Sequence, residues 1–440
     1  MNIFSKPMNY RQYVTYLIPS ILTMIFLSFY TTIDGFFVSR YANSNALAGI
    51  NIVIPITCII FGVSVMVATG SGAIIGEYMG AKETKRANQV FTFSAIALLV
   101  LSILFTIVGV CFLKPIAILL GTSEQLMPYV LPYLFVVLVG AIPMSFKLFF
   151  EYLVRTDGSS QVGLVMSFIG LVFNIVLDYI FVGIFGLATL GAAIGTVLSI
   201  TISAVIGFIY FYKHSTLRFV RPVHDFPMFW RACANGCSEM LTELSTGITT
   251  FLFNIIVMGI YGEDGVAAVT IIMYIYYFFV AFYLGIGVAT APIISYNLGS
   301  QNIPKIKKVL KYSFATIILT AICIMTYLHF ESSTIIGIFI QEGHVFDITK
   351  DALYYFSPLF IFVGVNIFLS SYFTAIGDGL SSAIISTLRT LIFVIMFILV
   401  LPKYFGVTGI WLTMPMAELC TIFIAYHLYR TKGLRLKRNM

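Results

Sequence analysis

The chain has 440 residues, of which 60% are hydrophobic and only 10% charged, with a mean hydropathy of +1.00. So little polar surface cannot cover a water-soluble globule of this size, so lipid is the expected solvent. The net charge of +7 does not point to nucleic acid, because the basic residues sit in short loops and at the C-terminus, where membrane topology places them.

Apolar segments long enough to cross a hydrocarbon core of roughly 30 Å as helices recur along the whole length. The alternation that marks a membrane β-barrel is absent. Hydropathy and turn signals predict helices at 10–39, 46–77, 90–112, 126–150, 162–183, 189–212, 229–261, 266–298, 309–330, 352–375, 381–401 and 409–429. The first reads as a retained span, since no small-residue cleavage site follows it, and no soluble domain is expected on either side. All of Cys58, Cys111, Cys233, Cys237, Cys323 and Cys420 fall in apolar segments. Cys233 and Cys237 stand one turn apart without a nearby His, which favours small apolar filler over metal binding. No Walker-type phosphate loop, HExxH pair or nucleophile elbow occurs, so no enzyme and no cofactor are expected, and an ion gradient is the expected energy source.

Basic residues set the orientation. Alternate loops, starting from the N-terminus, hold Lys6 and Arg11; Lys82, Lys85 and Arg86; Lys147 and Arg155; Lys213, Arg218, Arg221 and Arg231; Lys305, Lys307, Lys308 and Lys311; and a basic tail over 430–440. The other loops hold only Arg40, Lys114, Lys350 and Lys403, so both termini are expected in the cytoplasm of a prokaryotic cell, with the protein in its plasma (inner) membrane. Shifting the sequence on itself by 219 residues aligns the halves: Gly80 falls on Gly299, Ser94 on Ser313, Phe149 on Phe368, Gly158 on Gly377 and Ser167 on Ser386. Six helices in each half give both halves one orientation. The expectation is an all-α membrane protein of twelve transmembrane helices in two six-helix lobes, 1–212 and 229–429, related by a pseudo-twofold axis along the membrane normal. The basic loop 213–228, with Pro222 and Pro227, would link them.

An ionisable group inside a bilayer is costly, which makes each one a candidate for function. Asp34 falls roughly 8 Å below the outer surface by helical rise, Asp178 at about the same depth, and Thr196 about 10 Å down. Asn174 and Asp178 stand four apart and share a helix face. Such a set of hard oxygens suits a proton, because one of two close acids binds it more tightly, or a sodium ion. The alternative is that Asp34 caps a helix end at the interface and Asp178 pairs with backbone. Pro19, fifteen residues before Asp34, marks a bend that is either static or responsive to that site.

The spacing of Pro19 and Asp34, the run Asn174-Ile-Val-Leu-Asp178, Thr196, the loop GAKETKRANQV at 80–90 and the two six-helix halves resemble the multidrug and toxic compound extrusion (MATE) family along nearly the whole chain. The resemblance implies that Asp34, Asn174, Asp178 and Thr196 form a proton- or sodium-coupling site and that Pro19 is a bend point, in an antiporter that expels lipophilic or cationic compounds.

In the second half, Glu239 and Glu243 lie near the midplane on one helix face and could attract a cationic substrate, or belong to a structural network with Arg389 or Glu418. Tyr274 and Tyr277, in an aromatic run, suit flat cations or lipid packing. Glu77, Glu151 and Arg155 are expected at the interface. Small organic molecules and lipid are the expected partners of a monomer. A lipid-linked precursor flippase would require several intramembrane basic residues where only Arg389 is evident, and a non-transporting scaffold leaves the repeat unexplained. A fluorescent protein fused after Met440 is expected to fluoresce and an alkaline phosphatase fused there to stay inactive; the opposite pair of results would put that terminus outside.

Overall fold

The computed structural model describes residues 3–42, 44–223 and 225–433, with side chains at all of these except 3, 31, 32, 34–36, 39, 44, 251 and 263. Among the described residues the chain is helical, without strands. Among the described residues ten helices are long and apolar enough to cross a membrane, and two bent pairs, each counted as one span, bring the candidates to twelve. In chain order these are α1 (Tyr10–Tyr41), α2 (Ser44–Gly80), α3 (Thr84–Cys111), α4 (Met127–Val139 with Ala141–Thr156), α5 (Ser160–Ile184) and α6 (Ala188–Lys213) in the first half. The second half holds α7 (Phe226–Gly262), α8 (Asp264–Gly299), α9 (Ile303–Gly337), α10 (His344–Phe356 with Leu359–Ala375), α11 (Gly379–Phe405) and α12 (Val407–Gly433). α7 and α8 join at Gly262, whose φ of 61° a residue with a side chain rarely adopts.

The starts of the helices on the basic-loop face are written locally. Asn9 and Gln12 form a reciprocal capping box at α1, and Asp225, Asn302 and Asp378 accept from the third residue beyond them at α7, α9 and α11. Polar first turns therefore belong to the helices, which is why α3 and α9 begin six residues before their expected apolar starts at 90 and 309. α4 and α10, expected as single helices, are each bent, by 52° and 56°. The bends fall at Gly140 and at Ser357–Pro358, and 140 shifted by 219 is 359, so the repeat extends to the breaks. On α3, Val100, Leu104, Ile107 and Val108 are about half exposed, an apolar stripe suited to lipid.

The lobes meet along α2 and α8, where small residues let backbones touch. A Cβ on Gly80 would stand 1.9 Å from the Tyr296 carbonyl oxygen, and one on Gly299 would stand 1.9 Å from that of Glu77. These two contacts interchange under the 219-residue shift. One turn away, a Cβ on Gly76 would stand 2.1 Å from Ser295 Oγ. Gly76-x3-Gly80 and Ser295-x3-Gly299 are thus a small-xxx-small pair on facing helices. Gly70 and Gly236 make the matching close crossing of α2 with α7, and Gly285 lies against the backbone of Ile21 on α1.

In sequence the halves divide at the loop between α6 and α7; in space α1 and α7 each cross the divide. Phe4, Met8, Tyr13, Tyr16 and Leu17 are buried in the second lobe's core, and the Tyr13 hydroxyl bonds Thr290 at 2.8 Å and Ser313 at 2.7 Å. Reciprocally, Ala232 and Cys233 of α7 are buried among Val67, Phe91 and Phe149 of the first lobe. The Tyr16 hydroxyl donates to the Arg155 carbonyl at 3.4 Å and Asn235 Nδ2 to that of Thr374 at 2.8 Å, again 219 residues apart at both ends. The loop after α6 is pinned to the first lobe: Asp157 accepts from Tyr210 at 2.5 Å, Ser215 at 2.8 Å and Thr216, and Arg218 N donates to Asn88 at 3.0 Å.

Gly299→Val is expected to cost about 1–3 kcal/mol by overpacking against the Glu77 backbone. Gly247→Ala, which meets nothing within 4 Å, is expected to be neutral or stabilising. Thermal unfolding in detergent checks the contrast, and equal melting temperatures for the two variants would remove the seam from the account.

Candidate functional site

The first lobe buries a carboxylate at the point where α5 changes winding. Asp178 is the last residue of regular α-helix before the π-helical turn Tyr179–Ile184, and it and Asn174 are 0% exposed. Local unwinding of this kind frees backbone groups and recurs at functional positions. Asn174 Nδ2 donates to Asp178 Oδ2 at 3.3 Å, so the spacing of four does bring the two side chains together. Across from them, Gly195 of α6 leaves the space: a Cβ there would lie 2.3 Å from Asp178 Oδ1. Thr196, the next residue, is half-buried, and its carbonyl accepts from Ser199 at 2.8 Å. Asp34 falls within α1, but its side chain lies outside the described residues. Pro19 sits within α1, which continues as one helix from Tyr10 to Tyr41, and the Pro19 carbonyl accepts from Thr23 at 2.7 Å.

One turn inward along the same stripe of α5, Gly170 makes room for two hydroxyls. A Cβ on it would stand 2.2 Å from the Tyr30 oxygen of α1 and 2.3 Å from Ser203 Oγ of α6. Tyr30 is four residues before Asp34 in the same helix. The stripe continues to Ser167, which donates to Glu151 Oε2 at 3.1 Å. Glu151 also binds Lys147 Nζ at 2.5 Å and Arg155 Nη2 at 3.2 Å, with all three side chains at most 4% exposed. The Lys147 ammonium lies 5.9 Å from the centre of the Tyr30 ring.

This triad corrects two expectations. Lys147 belongs to the lobe interior and not to a loop, and Arg389 is not alone as a cation buried within a candidate span; Glu151 and Arg155 are 0% exposed near the inner end of α4. Glu77, by contrast, is exposed. The expected helix end at 150 falls six residues short of the observed end at Thr156. The signal that could have found the triad was present: Lys147, Glu151 and Arg155 repeat at intervals of four along one helix face.

In the second lobe Arg389, inside a π-helical turn at Leu388–Ile392, pairs with Glu418 at 3.0 Å. Glu418 also accepts from Asn366 Nδ2 at 2.6 Å. By the 219-residue shift Arg389 stands where the first lobe has Gly170, and Asn366 where it has Lys147. Glu239 and Glu243 are half-buried and among the described residues make no hydrogen bond or ion pair with this pair, although Arg389 lies within electrostatic reach of Glu239. Glu239 lines a cavity with about 490 Å³ of empty space between the lobes. That cavity straddles the pseudo-twofold axis, since Thr69 and Val288, Gly72 and Ala291, Ala73 and Pro292, and Tyr152 and Ser371 are all 219-residue pairs in its wall. Glu243 lies within electrostatic reach of Cys58, Tyr152 and Tyr277. Tyr277 is 36% exposed and Tyr274 stacks on Phe339 at 5.9 Å; neither tyrosine, nor Glu243, is among the residues of the cavity wall. Among the described residues no group of three His, Cys, Asp or Glu side chains could hold a metal ion.

Glu151→Gln leaves two buried cations without their counter-charge and is expected to destabilise by about 3–5 kcal/mol. A Lys147→Met, Glu151→Gln double variant should recover part of that loss in thermal unfolding; no loss in the single variant would contradict the burial of the triad. Gly195→Ala is expected to push the Asp178 carboxylate aside, at a cost of about 1–3 kcal/mol in folding or in cation binding, and unchanged melting and transport would contradict that contact.

Comparison with known proteins gives this arrangement a family. The MatE family model matches residues 19–180 and 240–400. The chain is 23% identical over 420 residues, 94% of its own length and 92% of the relative, to the multidrug export protein MepA of Staphylococcus saprophyticus. It is 22% identical over 425 residues to the MepA of a Staphylococcus aureus strain, covering 95% and 93%. Among solved structures, a MATE transporter in complex with MaL6 and the outward-facing conformation of a multidrug resistance MATE family transporter each superpose with a TM-score of 0.92 at 21% identity, covering 98% of both chains. A MOP superfamily transporter from Pyrococcus furiosus gives 0.90 at the same identity. The chain, a multi-pass membrane protein with twelve candidate spans in two repeated halves, belongs to the MatE family of transporters.

Proposed function

We propose that the protein is a secondary antiporter that exports lipophilic, mainly cationic compounds in exchange for a proton or a sodium ion. The observation that carries this reading is the buried Asn174–Asp178 pair set in the space left by Gly195. Asp34 and Thr196, which the family resemblance assigns to the same site, would complete a set of hard oxygens from three helices suited to a small hard cation. The relatives named MepA are multidrug export proteins, which supports the substrate class.

The cavity between the lobes is the substrate path in this reading. Its charged lining residue, among those described, is Glu239, and its aromatic one is Tyr152, so it suits a flat cation better than a phosphate. The flippase alternative needs cations on that wall. Lys147 and Arg155 are buried, but both are held by Glu151 inside the first lobe, and Arg389 is held by Glu418.

Coupling follows from the shared helix. α1 has its first turns fixed in the second lobe through Tyr13 and carries Asp34 at its other end, in the first lobe. A cation bound at Asp34, Asn174, Asp178 and Thr196 favours one setting of α1, with Pro19, which cannot donate a backbone bond, as the pliable point. Lobe movement then exposes the cavity to each side in turn, and the two conformations need only differ in cation affinity. The functional unit is a monomer in the plasma membrane with both termini in the cytoplasm, powered by the ion gradient without another cofactor.

Inverted vesicles should accumulate a cationic dye when given a proton or sodium gradient. An Asp34→Asn, Asp178→Asn double variant should lose that accumulation while still reaching the membrane; full gradient-driven uptake by that variant would reject the site.

A further inference from the structure

A polar stripe on α7 has no part in the coupling just described. Arg231, Asn235, Glu239 and Glu243 recur at intervals of four, one per helical turn on one face, from the basic-loop end to the middle of the span. The equivalent positions of α1 are Gln12, Tyr16, Ser20 and Met24, so the charged members of the stripe belong to the second lobe alone. Two cavities follow it. The first, around Glu239, shares Ala73 and Ala375 as walls with a second of about 250 Å³, lined also by Ile74, Glu77, Arg231, Asn235 and Gly377. Glu77 and Arg231 are exposed at its mouth, and among the described residues they form no ion pair with each other. Asn235 is 4% exposed; its amide nitrogen is committed to the Thr374 carbonyl, and its Oδ1 is buried with no partner.

A buried amide oxygen left unpaired costs free energy unless water reaches it, and Asn235 lines the outer cavity, whose walls Ala73 and Ala375 also line the cavity at Glu239. Around the cavities the lobes are closed to anything larger, because backbone touches backbone at Gly80 with Tyr296, Gly299 with Glu77 and Gly70 with Ala232. We propose that the α7 stripe is a proton path: water bridging Asn235 lets Glu239 exchange its proton with the basic-loop face while the lobes stay closed to substrate. The groups that set the charge around Glu239 are Arg389 from α11, Tyr152 from α4 and Glu243 on α7 itself. Glu239 thereby reports the pH of that face, the cytoplasmic one in the antiporter reading on which the assignment of side rests.

The test is infrared spectroscopy of sealed proteoliposomes of one orientation, following the protonated-carboxyl band that Glu239→Gln removes after a pH step on one side. The band should follow steps on the basic-loop side. Asn235→Leu should slow it more than tenfold, as should Ala73→Leu, which narrows the shared wall and leaves the Asn235–Thr374 bond in place if the first variant fails to fold. A band that follows only the opposite side, that ignores both sides, or that responds at the wild-type rate in a folded Ala73→Leu variant would overturn the path. The band is also read in the Asp34→Asn, Asp178→Asn background, where it should persist, so failure of the coupling site and failure of the path are separate results.

Discussion

A charge taken out of water must be met by another charge, a proton or a bound ion, and most of this structure follows from how it meets that demand. The first lobe encloses Lys147, Glu151 and Arg155 as a contiguous ladder with one excess positive charge, and places Asn174 and Asp178 one and two turns beyond Gly170 on the same stripe of α5. The second lobe settles Arg389 on Glu418 and leaves Glu239 on the wall of the cavity between the lobes, with Glu243 one turn further along α7. The two lobes therefore repeat a backbone and differ in what they do with charge. In one the acids are sealed within the helix bundle, where a small cation can satisfy them; in the other Glu239 borders a cavity, where a cation from outside the protein can.

The second demand is mechanical. Helices that slide or rock against each other in lipid gain little from burying apolar surface, so close packing of small residues has to hold the seam. Gly76 and Gly80 against Ser295 and Gly299 give contact at backbone distance on the basic-loop face, and the 219-residue symmetry makes both sides of the contact alike. α1 and α7 cross this seam in opposite senses, each with its first turns in the other lobe's core. A lobe cannot move without dragging the start of one such helix, and that gives the proposed ion site in the first lobe a covalent hold on the second.

Much of this was legible in the sequence because it is periodic. The twelve spans, the repeat and the small-xxx-small pair follow from hydropathy and from glycines at matched offsets, and Asn174 and Asp178 meet as their spacing requires. What escaped was whatever depends on which face of a helix turns inward, or on an absent side chain. Gly195 and Gly170 are ordinary glycines in sequence, and only the carboxylate and hydroxyls pressed against them show their purpose. Basic residues near a turn usually belong to loops, whereas the ladder with Glu151 keeps Lys147 and Arg155 inside. The bends of α4 and α10 escaped because hydropathy does not register direction, although Gly140 and Pro358 marked the places.

The central claim is that substrate and a small cation compete through the first lobe's acids. Because linkage is reciprocal, the direct measurement is the number of protons or sodium ions released when a cationic dye binds the purified protein, by calorimetry in buffers of different ionisation enthalpy and by a sodium series. The account predicts that dye binding displaces about one cation and that Asp178→Asn abolishes the displacement. Dye affinity that is independent of both pH and sodium in the unaltered protein would contradict it.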